Sequence, residues 1–171
     1  MAGLRWAAIA MPAALMAASC ATPDELGPGR GPVIALINGA GGSAGAVQAE
    51  PRQGGYYLRI AASGLSPGEH GLHLHSVGRC DGPNFQSAGP HWNPANKQHG
   101  HLNPLGAHQG DLPNLTVSAN GHGAINFLVS GEIADADGTA LVIHAKPDDY
   151  RTDPSGNSGD RIACAVLRPE H

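Results

Sequence analysis

Short runs of apolar residues alternate with polar turns from residue 33 to near the end of the chain. No stretch repeats apolar residues every three or four positions over the length of a helix, and short runs of this kind are typical of β-strands. Turn-forming pairs such as Pro67-Gly68, Asn120-Gly121 and Asp137-Gly138 separate them. The pattern predicts eight strands, at residues 33–38, 45–50, 56–63, 71–76, 115–118, 124–129, 141–144 and 162–167.

Two long segments, residues 77–114 and 145–160, interrupt the predicted strands. Eight short strands without helices predict an all-β fold, an antiparallel sandwich or barrel. Connections of this length without secondary structure are uncommon in compact domains and are usually functional. We therefore expect the two long loops to carry most of a functional site.

The first residues have the pattern of an export signal rather than of a folded domain. Arg5 precedes an uncharged apolar run at residues 6–18, which is too short to cross a bilayer, and small residues follow it. We predict a signal peptide at residues 1–19, a flexible linker at residues 20–31 and a single domain at residues 32–171.

Cys20 is a candidate site of lipidation. The residues before it, Ala17, Ala18 and Ser19, resemble a bacterial lipobox, although a larger aliphatic residue is usual at the position of Ala17. Lipidation would anchor the protein to a membrane without spanning it. The alternative is ordinary cleavage next to Cys20, which would give a soluble exported protein. The expected location is therefore outside the cytoplasm of a bacterium, either in the periplasm or as a membrane-anchored lipoprotein.

The charge balance argues against some partners. The chain has a formal net charge of −4 and only two lysines, so it is not built to bind nucleic acid or an anionic lipid surface. An anionic ligand would need a local positive patch. Cys80 and Cys164 are the cysteines within the predicted domain. Because export leads to an oxidising compartment, we expect them to form a disulfide, with two free buried thiols as the alternative.

Three histidines at strand positions form the first candidate metal site. His73 and His75 are separated by one residue, so on a strand both rings project to one face while Leu74 faces the core. His144 ends the later apolar run at residues 141–144. Together the three would give a nitrogen-only site that suits copper. A buried, hydrogen-bonded histidine is the alternative interpretation of His144.

The first long loop contains a second candidate metal site. It consists of His91, His99, His108 and Asp111. Three nitrogens and one carboxylate oxygen make a tetrahedral donor set suited to a structural zinc ion. The alternative is four polar residues on a solvated loop.

The order and spacing of these motifs resemble those of the bacterial copper–zinc superoxide dismutases. The motifs lie at residues 71–75 (GLHLH), 87–94 (SAGPHWNP), 108–111 (HQGD), 141–144 (LVIH) and 159–164 (GDRIAC). The resemblance extends over residues 33–167. It implies an eight-stranded antiparallel Greek-key β-barrel or sandwich with two long functional loops.

The resemblance also implies a role for each site residue. Copper would be bound by His73, His75, His91 and His144, and zinc by His91, His99, His108 and Asp111, so that His91 is shared by both ions. The disulfide Cys80–Cys164 would tie the metal-binding loop to the last strand. Asp148 would join the free ring nitrogens of His73 and His99, and Arg161 would lie beside the open copper position.

The activity implied is the dismutation of superoxide to oxygen and hydrogen peroxide by a redox-cycling copper next to a structural zinc. Arg161 would dock the superoxide anion, and His91 would also carry a proton to the product. The alternative is a non-enzymatic envelope protein that binds copper and zinc, which would need the ligands but not Arg161. Bacterial relatives include monomers and dimers, so a homodimer is one of two expected states.

Overall fold

Nine antiparallel β-strands form the regular structure of residues 31–168, which are the residues that this computed structural model describes. One turn of 3-10 helix, Gln86–Ala88, accompanies them. The strands are β1 (Val33–Asn38), β2 (Ser43–Arg52), β3 (Gly55–Ala62), β4 (Gly68–His70), β5 (Leu72–His75), β6 (Leu115–Val117), β7 (Gly123–Ser130), β8 (Thr139–His144) and β9 (Arg161–Leu167). The predicted all-β antiparallel fold is confirmed.

Seven of the strands form one curled sheet in the order β5-β8-β9-β1-β2-β3-β7, and β4 pairs with β6 in a smaller sheet. Short turns connect β1, β2 and β3, each of which pairs with the next. In contrast, β7 returns over a long connection to lie beside β3. Long returns of this kind are the mark of a Greek key.

The export and lipidation predictions lie outside the described residues. These are the signal peptide at residues 1–19, Cys20 and all but the last residue of the linker. They stay predictions, as does the end of the domain at residues 169–171. Within residues 31–168, no helix has the length and apolar character needed to cross a membrane.

One strand of the structure was not predicted from the sequence. The strand predicted at residues 71–76 corresponds to β5, and β4, which pairs in the small sheet, precedes it, with the chain passing from one sheet to the other at Gly71. A Cβ atom at Gly71 would lie 2.6 Å from Oγ of Ser158, so the close approach of the second loop excludes a side chain here. The strand count is therefore nine rather than eight.

Strand β8 is buried on both faces. Its alternate residues Leu141 and Ile143 belong to the main core, which also includes Leu36, Val47, Leu58, Ile60, Leu74 and Leu115. The residues between them, Ala140 and Val142, face a second cluster that also contains Phe85, Ala88 and Cys164, named here the Phe85 cluster. Because side chains alternate across a strand, β8 joins the two clusters. Full burial of one large apolar side chain contributes about 1.5–3 kcal/mol to stability.

The first long loop returns twice to β5. The backbone N–H of Trp92 donates to the carbonyl of Leu74 at 2.7 Å, and the N–H of Leu74 donates to the carbonyl of Gly110 at 2.8 Å. Isolated bridges pair His75 with His91 and His73 with Asp111. Residues that are far apart in the sequence are thus placed opposite the two histidines of β5.

The same loop is also fixed to β9 by a disulfide. Cys80 and Cys164 are bonded, with their Cα atoms 5.8 Å apart and a sequence separation of 84. The predicted disulfide is confirmed. Because Arg161 lies on the same strand, the disulfide attaches the loop close to that side chain.

Candidate metal centre

Strand β5 supplies the first two rings of the site. Leu74 packs in the main core, while the rings of His73 and His75 lie on the other face, and all three residues are fully buried. The alternation predicted from the sequence is therefore present. His144, at the end of the neighbouring strand β8, brings its ring within 4.8 Å of the ring of His73.

Four ring nitrogens converge in what we call the four-histidine cluster. The donor atoms of His73, His75, His91 and His144 all lie within 4.8 Å of one another. Their facing nitrogens are Nδ1 of His73 and Nε2 of His75, His91 and His144. Among residues 31–168, these four are the buried side-chain nitrogens or oxygens that lack a hydrogen-bond partner. Buried polar atoms are normally satisfied, so four convergent exceptions fit a metal ion that accepts nitrogen lone pairs.

Hydrogen bonds fix the orientation of three of these rings. Nδ1 of His75 donates to the carbonyl of Gly89 at 2.8 Å, and Nδ1 of His144 donates to the carbonyl of Gly159 at 3.0 Å. Nε2 of His73 donates to Oδ2 of Asp148 at 2.9 Å. A neutral imidazole has one N–H, so each bond leaves the opposite nitrogen with a free lone pair. Such outer contacts are usual for metal-binding histidines.

A second group of donors, the three-histidine–aspartate cluster, surrounds Asp111. Its Oδ1 lies 3.1 Å from Nδ1 of His91, 2.9 Å from Nδ1 of His99 and 3.1 Å from Nδ1 of His108. Its Oδ2 accepts the backbone N–H groups of Gly100 at 2.9 Å and His108 at 3.0 Å. Three nitrogens and one carboxylate oxygen at these separations suit tetrahedral zinc.

His91 belongs to both clusters. Its Nε2 faces the four-histidine cluster, and its Nδ1 faces Asp111. One imidazole ring therefore separates two donor sets whose chemistry differs, one of nitrogens alone and one with a carboxylate. Two metal ions bound at these clusters would share this ring.

Burial keeps the rings of the four-histidine cluster neutral. It lowers the pKa of His75 well below its ordinary value, lowers the pKa of His91 to about 4 and lowers that of His144 to about 3. The pKa of His73 is also lowered by burial, against the opposing effect of Asp148. Neutral rings at pH 7 present the lone pairs that metal binding requires.

The carboxylates of Asp111 and Asp148 raise the pKa of His99, whereas burial lowers the pKa of the rings of the four-histidine cluster. Burial alone would lower its pKa, but hydrogen bonds to Asp111 and Asp148 outweigh burial and raise the pKa of His99 to about 9. Burial would raise the pKa of each carboxyl group, yet the hydrogen bonds that they accept lower the pKa of both Asp111 and Asp148. Both carboxylates are therefore charged at pH 7 and can balance bound cations.

Asp148, on the second long loop, joins the two clusters by contacting one histidine of each at the ring nitrogen that points away from the cluster. Its Oδ1 lies 3.0 Å from Nε2 of His99, while its Oδ2 accepts from His73. Asn114 holds the backbone of Asp148 from both sides, because its Oδ1 accepts the N–H of Asp148 at 2.9 Å and its Nδ2 donates to the carbonyl at 3.0 Å. A Cβ atom at Gly156 would overlap the Asp148 carboxylate, so this glycine leaves room for it.

Arg161 lies at the start of β9 and reaches across to the first loop. Its Nη1 donates to the carbonyl of Phe85 and its Nη2 to the carbonyl of Gly89, both at 2.8 Å. The Gly89 carbonyl also accepts from His75, so one oxygen links the guanidinium to the four-histidine cluster. A half-buried guanidinium stays charged at pH 7.

The structure brings together every candidate ligand within the described residues, and it shows supporting residues that sequence reasoning missed. Gly89, Asn114 and Gly156 hold or accommodate site residues through contacts between distant parts of the chain. The sequence offered a hint of two of these supporting residues. Gly156 lies in a turn-forming stretch, and Gly89 lies in the SAGPHWNP motif. His70 belongs to neither cluster, and its ring nitrogens lie within hydrogen-bonding distance of the carbonyls of Ser66 and His144.

Comparisons with known proteins agree with this geometry. Residues 41–167 match the family described as copper/zinc superoxide dismutase (SODC). Copper–zinc superoxide dismutase 1 of Aquifex aeolicus is 39% identical over 143 residues, which cover 78% of this chain and 85% of that protein. The superoxide dismutase-like protein YojM of Bacillus subtilis is 43% identical over 145 residues, which cover 78% of this chain and 74% of that protein.

Solved structures give the same result. A double mutant of a SOD-like protein from Bacillus subtilis superposes with a TM-score of 0.76 and 41% identity, over 81% of this chain and 98% of the other. The Cu/Zn superoxide dismutase from Brucella abortus has a TM-score of 0.65 and 30% identity, over 80% of this chain and 99% of the other. The chain therefore belongs to the copper/zinc superoxide dismutase family.

Proposed function

We propose that this protein dismutates superoxide to oxygen and hydrogen peroxide, with copper and zinc as its cofactors. The observation that carries the proposal is the ring of His91, whose two nitrogens face two donor sets of different chemistry. Copper, when bound, supplies one-electron redox chemistry, and zinc supplies a fixed positive charge without redox chemistry.

We assign the metal ligands from the two clusters. Copper would be held by His73, His75, His91 and His144, and zinc by His91, His99, His108 and Asp111. The nitrogen-only set matches the preference of copper for imidazole, and the single carboxylate matches the preference of zinc for mixed donors. Asp148 would hold the rings of His73 and His99 in fixed orientations through the bonds described above.

Arg161 is proposed to dock the superoxide anion. Two of its five N–H donors are used by backbone carbonyls, which leaves donors and a full positive charge for a small anion. In a chain with a net charge of −4, such a local positive group concentrates an anion where the chemistry occurs. Lys146 is proposed to add to the same field.

His91 is proposed to carry one of the two protons that the formation of hydrogen peroxide consumes. Its Nε2 is buried, faces the four-histidine cluster and has no hydrogen-bond partner among the described residues. This nitrogen can hold a proton only while it is not a copper ligand, and a proton held there would lie on the side of the ring that faces the four-histidine cluster, from which it would pass to the product.

A second candidate function is copper and zinc binding without catalysis. The observation in its favour is that the Bacillus subtilis relative, at 43% identity, is named dismutase-like. A binding protein would need both clusters but would gain nothing from a guanidinium fixed beside one of them. Arg161 therefore favours the enzyme.

We further propose that the protein is exported. Residues 1–19 would be removed as a signal peptide, and Cys20 would carry a lipid that anchors the domain at residues 32–171 to a membrane on the periplasmic side. The disulfide supports an oxidising compartment. Association into a homodimer is a further proposal, to be tested by the mass of the purified protein in solution.

The test of the function is to measure superoxide dismutation by the purified protein and to quantify copper and zinc in the same sample. One copper and one zinc per chain with cyanide-sensitive activity are expected. Full metal loading without activity would contradict the enzymatic proposal and favour the binding protein. A sample that lacks copper would be reloaded before the comparison.

A further inference from the structure

We propose that Phe85 is a positioning residue for Arg161. Its buried side chain fixes the turn of residues 85–89, and two carbonyl oxygens of this turn orient the guanidinium. The inference deepens the proposed function and rests on it, because Arg161 is there the group that docks superoxide. Sequence analysis gave Phe85 no role.

The guanidinium of Arg161 is held by neutral groups alone. Within residues 31–168, no carboxylate forms an ion pair with it, and its two bonds go to the carbonyls of Phe85 and Gly89, both at 2.8 Å. Two acceptors on one turn fix the plane of the planar guanidinium, whereas a single acceptor would let it rotate. Because the acceptors are uncharged, the positive charge stays available for an anion.

The turn that presents these carbonyls is held by two buried side chains. Phe85, its first residue, and Ala88, just before its last, are both fully buried in the Phe85 cluster. The turn is closed by backbone bonds from Ala88 to Phe85 at 3.2 Å and from Gly89 to Gln86 at 3.1 Å. The position of its carbonyl oxygens therefore follows from the packing of these side chains against the sheet.

The backbone of Phe85 needs that packing. Its φ of 52° and ψ of 29° lie in the left-handed region, which is unfavourable for a residue with a Cβ atom and is uncommon for aromatic residues. The conformation directs the Phe85 carbonyl towards Arg161. Full burial of the aromatic ring is the interaction that compensates for it, so a smaller side chain should let the backbone relax.

Strand β9 carries both ends of this arrangement. Arg161 lies at its start, and Cys164, three residues later, forms part of the surface on which Phe85 packs. The disulfide fixes the loop at Cys80, but four residues lie between Cys80 and Phe85. The disulfide alone therefore does not set the turn, and Phe85 provides a second attachment at the position where the carbonyls act.

The test is a double-mutant cycle on the purified, metal-loaded protein. The variants are Phe85→Ala, Arg161→Ala and the two combined, with kcat/KM for superoxide as the measured quantity and the metal content determined for each. We expect Phe85→Ala to lower kcat/KM by about tenfold, as small misplacements of positioning groups do. In the Arg161→Ala background the same change should cause no further loss, because coupled residues are not additive.

Two further variants separate positioning from general destabilisation. Ile37, on β1, packs against the same Phe85 cluster but is not part of the turn, so Ile37→Ala should leave kcat/KM unchanged. Phe85→Leu keeps most of the apolar contact and should retain most of the activity. If Phe85→Ala does not fold, Phe85→Val, which removes more of the apolar contact than leucine does, replaces it in the cycle. Equal losses from Phe85→Ala in both backgrounds, or an equal loss in Ile37→Ala, would overturn the proposal.

A measurement without catalysis completes the test. In the zinc-loaded protein, the guanidinium N–H signals of Arg161 should be resolved and slow to exchange by NMR, and Phe85→Ala should broaden or average them. Unchanged signals would overturn the positioning role. If the wild-type protein proves inactive towards superoxide, the proposed function fails, whereas this NMR comparison still decides how Arg161 is held.

Discussion

At the scale of single residues, His91 and Asp148 explain how two metal sites can be built side by side. His91 contributes one nitrogen to each cluster, and Asp148 contributes one oxygen to a histidine of each. The two clusters are therefore connected through a ring on one side and a carboxylate on the other. A change at either residue should affect both metal sites rather than one.

Replacing Arg161 should slow catalysis without loss of metals. Arg161→Ala removes the positive charge but no candidate ligand, so copper and zinc contents should stay the same while kcat/KM falls by about tenfold or more. The salt dependence of the rate should also weaken, because the captured substrate is an anion. Stopped-flow assays over a range of ionic strength would measure both, and unchanged activity would refute the docking role.

Gly156→Ala should weaken metal binding. A Cβ atom at residue 156 would overlap the Asp148 carboxylate and lie 2.7 Å from Nε2 of His99, so the carboxylate would have to move. Loss of such outer contacts typically lowers metal affinity by about 10- to 100-fold. Competition titrations with a zinc chelator would measure the change.

Gly64→Ala is the matched control for Gly156→Ala. Both glycines have a positive φ, 71° at Gly64 and 63° at Gly156, so alanine is conformationally unfavourable at both. A Cβ atom at Gly64 meets nothing within 4 Å. An equal loss of zinc affinity in the two variants would show that backbone strain, and not the displaced carboxylate, is responsible.

At the scale of elements, the site is an assembly of β5, β8 and two loops. Strand β5 supplies His73 and His75, and the first loop runs back along it so that His91 and Asp111 lie opposite them. The backbone bonds between this loop and Leu74 fix the register of that contact. The short strand thus acts as the template on which the ligands of the long loop are ordered.

Removal of the disulfide should destabilise the fold and loosen the first loop. Replacing both Cys80 and Cys164 by serine releases a link across 84 residues, and chain-entropy arguments give about 4 kcal/mol for a loop of that size. Denaturant unfolding would measure the loss. A reducing agent should lower the stability of the wild-type protein towards that of the double variant, and should leave the double variant itself unchanged.

At the scale of the whole molecule, we expect the two long loops to depend on bound metals for order more than the strands do. The seven-stranded sheet has a continuous apolar core, whereas the loops contain one turn of 3-10 helix among the described residues and converge on polar clusters. Ligands that bind only the folded state stabilise it, by about 2.7 kcal/mol at a hundredfold excess over Kd.

Removal of the metals should therefore act mainly on the loops. After treatment with a chelator, we expect a lower Tm and faster hydrogen exchange at residues 77–114 and 145–160. The strands β1, β2, β3 and β7 should keep their protection, because the main core lies between them and the other strands. Uniform loss of protection over the whole chain would contradict this division.

The sequence by itself determined the fold class and the inventory of the site. Alternation of short apolar runs and turns indicated antiparallel strands, and the His-x-His pair of β5 has the geometry that a strand imposes. The donor types, nitrogen alone or nitrogen with a carboxylate, also follow from residue identity. These features depend on local periodicity and on side-chain chemistry, which can be inferred without a tertiary structure.

Only the tertiary structure decided how the site is held. The break at Gly71, the shared Gly89 carbonyl, the Asn114 contacts to Asp148 and the burial of Phe85 all join parts of the chain that are distant in sequence. Sequence spacing has no information on which carbonyl faces a given ring or guanidinium. Such contacts arise when the packed sheet brings the two loops together, and the close packing of the interior then leaves each group one position.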